Sequence, residues 1–255
     1  MRLKGKHVVI TGGAGGLGSR ISALMKKKGA HLTIVDRAKE LPFEADLVTG
    51  DLSTQEGITA IGEQLADLEP DILVNLAGIQ YFGPLEKQPS DSIQLTYMIN
   101  LVAPVMLTQA VLPSMRKRGK GQIVNIGSIF GSINFAHFAT YSSAKAGLKG
   151  FSEAIRRELQ STGVGVTYIA PRAVKTPLNS NTVMRFAELT RMAMDDPDYV
   201  ANRIVKSIIA GKKDVYFGFP ESFFVRLNAV LPRLVDGSLV ANDKIARNLF
   251  QIQQS

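Results

Sequence analysis

Thr11-Gly12-Gly13-Ala14-Gly15-Gly16-Leu17-Gly18 follows the apolar run His7-Val8-Val9-Ile10 and opens an amphipathic stretch over residues 16–28. Glycines at such a strand-to-helix junction each have a use. Gly12 permits a tight turn, Gly16 lets the main chain approach a pyrophosphate, and Gly18 lets the helix pack close to the sheet. The free N–H groups and positive dipole end of the helix then complete an anion site made of backbone. Glycine spacing alone is a weak signal, but its place at the first junction points to a dinucleotide.

Working outward, strand-length apolar runs alternate with helical patterns: His7–Thr11, residues 16–28, His31–Asp36, then Ile72–Asn75 and residues 122–126. The runs VVIT, LTIV, ILVN and IVNI are apolar nearly throughout, as strands covered on both faces are. The expected fold is α/β, a single Rossmann-type doubly wound parallel sheet with helices on both faces. Residues 58–68 and 141–161 are the clearest amphipathic helices, and Gly29, Gly119 and Gly163 stand as C-terminal stops. Between Asp36 and Asp51 a crossover and a third strand, residues 46–49, leave no room for a full helix. Residues 176–198 lose regularity and read as a lid. Residues 221–255 are helical in composition, divided by Pro232. We expect one domain over residues 1–255.

Composition narrows the function classes. The chain has 255 residues, no cysteine and a formal charge of +8. Disulfides and thiolate chemistry are excluded. No stretch reaches the roughly 18 uninterrupted apolar residues of a spanning helix, and the basic start lacks an apolar signal core, so the expected location is cytoplasmic. The cations cluster at probable helix ends, such as residues 26–28 and 116–118, where they complement the dipole. No nucleic-acid partner is expected. His7, His31 and His137 share no ligand spacing, so no metal is expected either. Ser128 lacks a Gly-x-Ser-x-Gly elbow, and spacing shows no histidine–carboxylate pair to make it a hydrolase nucleophile.

Asp36 ends the second strand about twenty residues past the glycines, where a carboxylate accepts hydrogen bonds from the adenosine ribose and repels a 2′-phosphate. Arg37 beside it can stack on adenine or reach such a phosphate. The expected cofactor is therefore NAD, with NADP as the alternative. Asp51 stands where the adenine amino group would be met, or where a helix over residues 53–68 would need its N-cap.

Tyr141 and Lys145 lie four apart on one helix face. A phenol of pKa about 10 is a poor acid or base at neutral pH, but a nearby ammonium can lower it by about 1–3 units. Ser128, after the strand of residues 123–126, is placed to hold a substrate oxygen. Asn100, at the end of a helix beginning near Ser90, adds a polar group among Leu95, Met98 and Leu101. Pro171 closes a strand over residues 166–170 and leads to Val174 and Thr176.

With these residues in place, the chain resembles the short-chain dehydrogenase/reductase family along nearly its whole length. The likeness rests on the glycine motif of residues 11–18, Asn75-Leu76-Ala77-Gly78, the tetrad Asn100, Ser128, Tyr141 and Lys145, and the Pro171 to Thr176 segment. It implies hydride exchange between a nicotinamide and a carbonyl or secondary alcohol. Tyr141 would be the acid/base, Ser128 would polarise the substrate oxygen, Lys145 would hold the nicotinamide ribose and tune the phenol, and Asn100 would anchor a water relay. The implied cofactor contacts are Gly12, Gly15, Gly16, Leu17, Gly18, Asp36, Arg37, Asp51, Leu52, Asn75, Ala77, Gly78, Tyr141, Lys145, Pro171, Val174 and Thr176.

Leu76 replaces a second asparagine that the family often has. Arg172 replaces the glycine that usually follows the proline, and three readings stay open for it: cofactor phosphate, acidic substrate group, or outward. Phe130, Phe135, Phe138, Phe217, Phe219, Phe223 and Phe224 can line an apolar pocket or fill core, and the hypothesis is a lipophilic substrate. The C-terminal segment can pack on a subunit, wall the pocket or rest on a membrane surface. Family precedent implies a homodimer or homotetramer through the long helix of residues 141–161. The runner-up is a non-catalytic dinucleotide sensor, whose signature would be loss of the tyrosine or lysine; both are present.

Overall fold

The computed structural model describes residues 2–252; the end of the apolar C-terminal segment, residues 253–255, lies outside them. Seven parallel strands form one sheet in the order β3-β2-β1-β4-β5-β6-β7. They are β1 (His7–Thr11), β2 (His31–Asp36), β3 (Asp46–Thr49), β4 (Ile72–Asn75), β5 (Gly121–Ile126), β6 (Val164–Ala170) and β7 (Asp214–Tyr216). The order reverses between β1 and β4, and such a switch point leaves a crevice beyond the carboxyl ends of the strands.

The central strands are mostly apolar because both faces are covered. Val8, Ile10, Ile72 and Val74 meet α1 (Gly18–Lys27) and α7 (Pro197–Ile209), through Ile21, Met25, Ile204 and Ile208. Val9 and Leu73 point the other way, toward α2 (Gln55–Leu68), α4 (Ala103–Lys117) and α5 (Ala139–Glu158). Gly29 and Gly119 take left-handed φ just past α1 and α4. The third stop is different: α5 ends at Glu158, and Gly163 belongs to the turn into β6. No helix separates β2 from β3.

Three expectations change. First, Asn100 does not end a helix. α3 (Ser90–Tyr97) runs through a π-type turn, Met98–Val102, into α4. The Asn100 amide donates to the carbonyl of Thr96 at 2.9 Å, the acceptor its own main-chain N–H would use in an α-helix, and the turn widens there. By length and composition Ser90–Lys117 is apolar enough to cross a membrane, but Leu107, Val111 and Met115 are buried in the core.

Second, residues 176–198 are largely ordered by two caps. Ser180 accepts from the N–H of Val183 and starts α6 (Asn181–Leu189). Asp196 accepts from Asp198 and Tyr199 and starts α7, with Pro197 in its first turn. Third, α2 is capped by Thr54, not Asp51. At the C-terminus α8 (Glu221–Val230) and α9 (Pro232–Ile252) break at Pro232 as expected.

Candidate active site

Loops leaving the carboxyl ends of β1 to β6 enclose a cleft of about 640 Å³. Its first wall is the glycine turn. Gly12 has φ +69°, and a Cβ there would lie 2.9 Å from Cα of Ala77; a Cβ on Gly18 would lie 2.1 Å from the Gly12 carbonyl. The turn is thus closed on itself and on the β4 end. The Thr11 hydroxyl ties the two, accepting from the N–H of Leu76 at 3.0 Å and of Ala77 at 3.1 Å. Gly16 faces Pro177, 2.7 Å from where its Cβ would stand, so its small size also admits the segment after β6.

Asp36 is fixed by main-chain donors, Ala14 at 3.1 Å and Ala38 at 3.2 Å, one to each oxygen. Two carboxylate oxygens carry about four acceptor positions, so capacity remains for hydroxyls. Arg37, exposed, and Asp51 and Leu52 line the same end. Hydrogen bonds from Ser53 hold the Asp51 carboxyl below its usual range, and the Arg37 charge adds to this. Gly12, Gly15, Gly16, Leu17, Gly18, Ala77, Gly78, Pro171, Val174 and Thr176 all line the cleft. Asn75 does not. Its amide donates to Asn125 at 2.8 Å in a buried network with Ser152 between β4, β5 and α5, because the alternation along β4 turns it away from the cleft.

At the opposite end Ser128, Tyr141 and Lys145 meet on the wall. The Lys145 ammonium donates to the Ile126 carbonyl at 3.0 Å and stands 5.8 Å from the centre of the Tyr141 ring. Asn100 lies one layer deeper. Its amide holds the Ile79 carbonyl at 2.8 Å, while its buried Oδ1 has no protein partner and faces the point behind Gly78 that Lys145 also approaches. An acceptor and a donor so placed suit a bridging water.

The electrostatics depart from expectation. Burial raises the Tyr141 phenol, only partly offset by a hydrogen bond with Ser128. Burial also lowers Lys145 to about 8. In the chain alone burial is the largest influence on both groups, and for the phenol it opposes the depression expected from Lys145.

Arg172 lines the cleft and does not point outward. Its guanidinium forks onto Asp195, at 3.0 and 2.7 Å, and reaches Glu221 at 3.1 Å. One side chain thereby joins the end of β6, the segment before α7 and the start of α8. Of the phenylalanines, Phe130 and Phe138 line the cleft. Phe217 is core beneath Arg203, and Phe219 and Phe223 are exposed.

Sequence reasoning missed Val183, Phe186 and Ala187, which α6 turns into the cleft, and Met192 and Met194. The apolar spacing 183, 186, 187 after a serine cap was their signal. It also missed Tyr168, whose ring packs under Gly127 beside Ser128 and whose phenol is raised by burial. The His137–Asp243 pair at 3.0 Å is likewise unannounced by spacing; it ties α9 to the loop before α5. His7 packs edge-on against His31, where β1 and β2 begin. Among the described residues no three His, Cys, Asp or Glu gather as metal ligands.

Comparison with known proteins accords with this architecture. A sequence profile described as short chain dehydrogenase matches residues 6–185. Ketoacyl reductase HetN of Nostoc is 33% identical over 220 residues, 81% of this chain and 76% of the relative. D-xylose 1-dehydrogenase of Caulobacter vibrioides is 36% identical over 185 residues, covering 68% and 74%. A solved short chain dehydrogenase from Burkholderia cenocepacia in complex with NADP superimposes with TM-score 0.81 at 21% identity, over 94% of this chain and 99% of that one. The chain belongs to the short-chain dehydrogenase/reductase family, oxidoreductases of CH–OH and C=O groups that use NAD(P).

Proposed function

We propose that this protein interconverts a lipophilic ketone and its secondary alcohol, with Tyr141 as the acid/base. The observation that carries the reading is the division of one cleft: a backbone-built cradle at one end, Ser128, Tyr141 and Lys145 at the other, and Phe130, Phe138, Val183, Phe186, Met192 and Met194 beyond them. The cradle fits a dinucleotide, because side chains at Gly12 and Gly18 would collide with main chain and the cleft volume lies within the usual range for cofactor sites.

When bound, the nicotinamide supplies the hydride chemistry. The Ser128 hydroxyl donates to the substrate oxygen, and the Tyr141 hydroxyl delivers or takes its proton. Lys145, held by the Ile126 carbonyl, binds the ribose hydroxyls, lowers the phenol once the site is filled and passes protons toward Asn100. Gly12, Gly15, Gly16, Leu17 and Gly18 hold the diphosphate. Asp36 takes the adenosine ribose, which favours NAD over NADP, with Arg37, Asp51 and Leu52 around the adenine. Ala77, Gly78, Pro171, Val174 and Thr176 border the nicotinamide half.

Ketoacyl reductase HetN, by its name, acts on an acyl chain; D-xylose 1-dehydrogenase acts on a sugar. The apolar wall beyond Tyr141 favours the former kind of substrate. One continuous sheet supports reading the chain as a single catalytic domain, and the lack of cysteine with cations placed in the last turns of α1 and α4 favours a cytoplasmic protein without a nucleic-acid partner. Small exposed residues along α5, Ser143, Gly150 and Ala154, suit close helix packing in a homodimer or homotetramer. Nicotinamide absorbance, with NADH and NADPH for a panel of apolar ketones and with NAD and NADP for a panel of aldoses, tests the reading. It expects reduction of the ketones with NADH ahead of NADPH; preference for aldoses contradicts it.

A further inference from the structure

Behind Phe130 the cleft has a second compartment. A cavity of about 150 Å³ lies between the Ile129–Gly131 turn, Met192–Ala193 and the facing sides of α8 and α9. Ile129, Ile133, Phe135, Phe224, Val235 and Leu239 form its apolar walls. Phe130, Arg172, Ala173 and Met192 line both this chamber and the main cleft, so the partition is a single layer of side chains. The Phe130 ring lies 6.4 Å from the Tyr141 ring on one side and stacks on Phe135 at 4.5 Å on the other.

The chamber's polar side chains are already engaged. Arg172 is held by Asp195 and Glu221, and the Ser238 hydroxyl donates to the Val235 carbonyl at 2.7 Å. A polar ligand would find few partners there and would lose its hydration. An apolar pocket of about this volume accepts a group the size of benzene.

We propose that this chamber is the tail subsite of the substrate: a carbonyl presented to Tyr141 carries an apolar chain that passes Phe130 and Met192 and ends in about six carbons between α8 and α9. The inference rests on the lipophilic reading above and adds where the tail goes and how long it is. Arg172 then has a part in specificity, since its two ion pairs fix the rim through which the tail passes. Phe130 and Met192 turn about two or three side-chain bonds, and that freedom lets the partition open.

Unbranched methyl ketones from 2-butanone to 2-dodecanone provide the test. A buried methylene is worth about fourfold in affinity, so kcat/KM should climb by about that factor per carbon and level off once the chamber is full. Leu239→Trp fills the chamber from α9 and should cut the ratio of kcat/KM for 2-decanone over 2-butanone by about tenfold or more. Ser238→Phe enters from the rim and provides the same reading should the first variant fail to fold, as judged by its thermal melt. A climb that both fillings leave unaltered overturns the tail subsite while the lipophilic reading stands. No climb in the parent protein overturns both.

Discussion

The two ends of the cleft are built in different ways. At the dinucleotide end the walls are main chain: the turn at Gly12, the carboxylate of Asp36 locked by two N–H groups, and the β4 end latched by Thr11. At the substrate end the walls are side chains, Phe130 and Phe138 with Val183, Phe186 and Ala187 of α6 and Met192 and Met194, backed by the ring cluster Phe82, Phe138, Phe186 and Phe250 and the Arg172 ion pairs, while α8 and α9 line the second chamber. The outer surface of α8 and α9 still leaves Phe223, Val230, Leu231 and Leu234 exposed. A backbone cradle defines one ligand shape, whereas a side-chain wall can be repacked without disturbing the sheet. Variants in the cradle should therefore act on cofactor binding, variants of Ser128, Tyr141 or Lys145 on the chemistry, and variants in the side-chain wall on KM for substrate.

Tyr141→Phe should have the largest effect, since positioned acid/base groups contribute about 10²–10⁴-fold. Turnover should fall by about a thousandfold while NADH binding, followed by fluorescence titration, stays within about twofold. Lys145→Met is next. A buried lysine with folded pKa about 8, against its usual 10.5, costs stability wherever it is charged in the unfolded chain. The penalty is full below about pH 8 and fades as pH rises toward 10.5. The variant should lose activity yet gain up to about 3 kcal/mol at pH 7, with the gain gone above about pH 10.5; a lower Tm at pH 7 would contradict this.

In the side-chain wall, Arg172→Ala leaves Asp195 and Glu221 unpaired in a partly buried setting. It should cost about 1–2 kcal/mol in urea unfolding, less than a fully buried pair, and raise KM for substrate with little change in dinucleotide affinity. Equal losses in both affinities would erase the distinction between the two ends. The smallest effect belongs to Asp36→Ser, which should shift the NAD-to-NADP preference by about tenfold, near the worth of one charge-assisted hydrogen bond, and leave kcat with NAD nearly unaltered.

The same contrast explains what could be read from the residues alone. Gly12, Gly18, Asp36, Ser128, Tyr141 and Lys145 are tied to strand ends and short spacings, which local patterns reveal. Asn75 misled because its motif neighbours Ala77 and Gly78 do line the cleft, while the alternation of β4 turns its side chain into the sheet network. The Arg172 fork joins positions 172, 195 and 221, and the cleft wall joins α6 to residues 130 and 138. Such contacts are fixed by tertiary packing, which no short spacing records. Helix spacing likewise reports the ammonium near Tyr141 but not the burial that raises the phenol in the chain alone.

The most direct test is a crystal structure with NAD and an unreactive apolar alcohol analogue. The account expects the dinucleotide diphosphate over Gly12 to Gly18 and the analogue's oxygen within hydrogen-bonding reach, about 2.6–3.2 Å, of the Tyr141 and Ser128 hydroxyls. A nicotinamide ring lying away from Tyr141, or an analogue oxygen held by other groups, would contradict it.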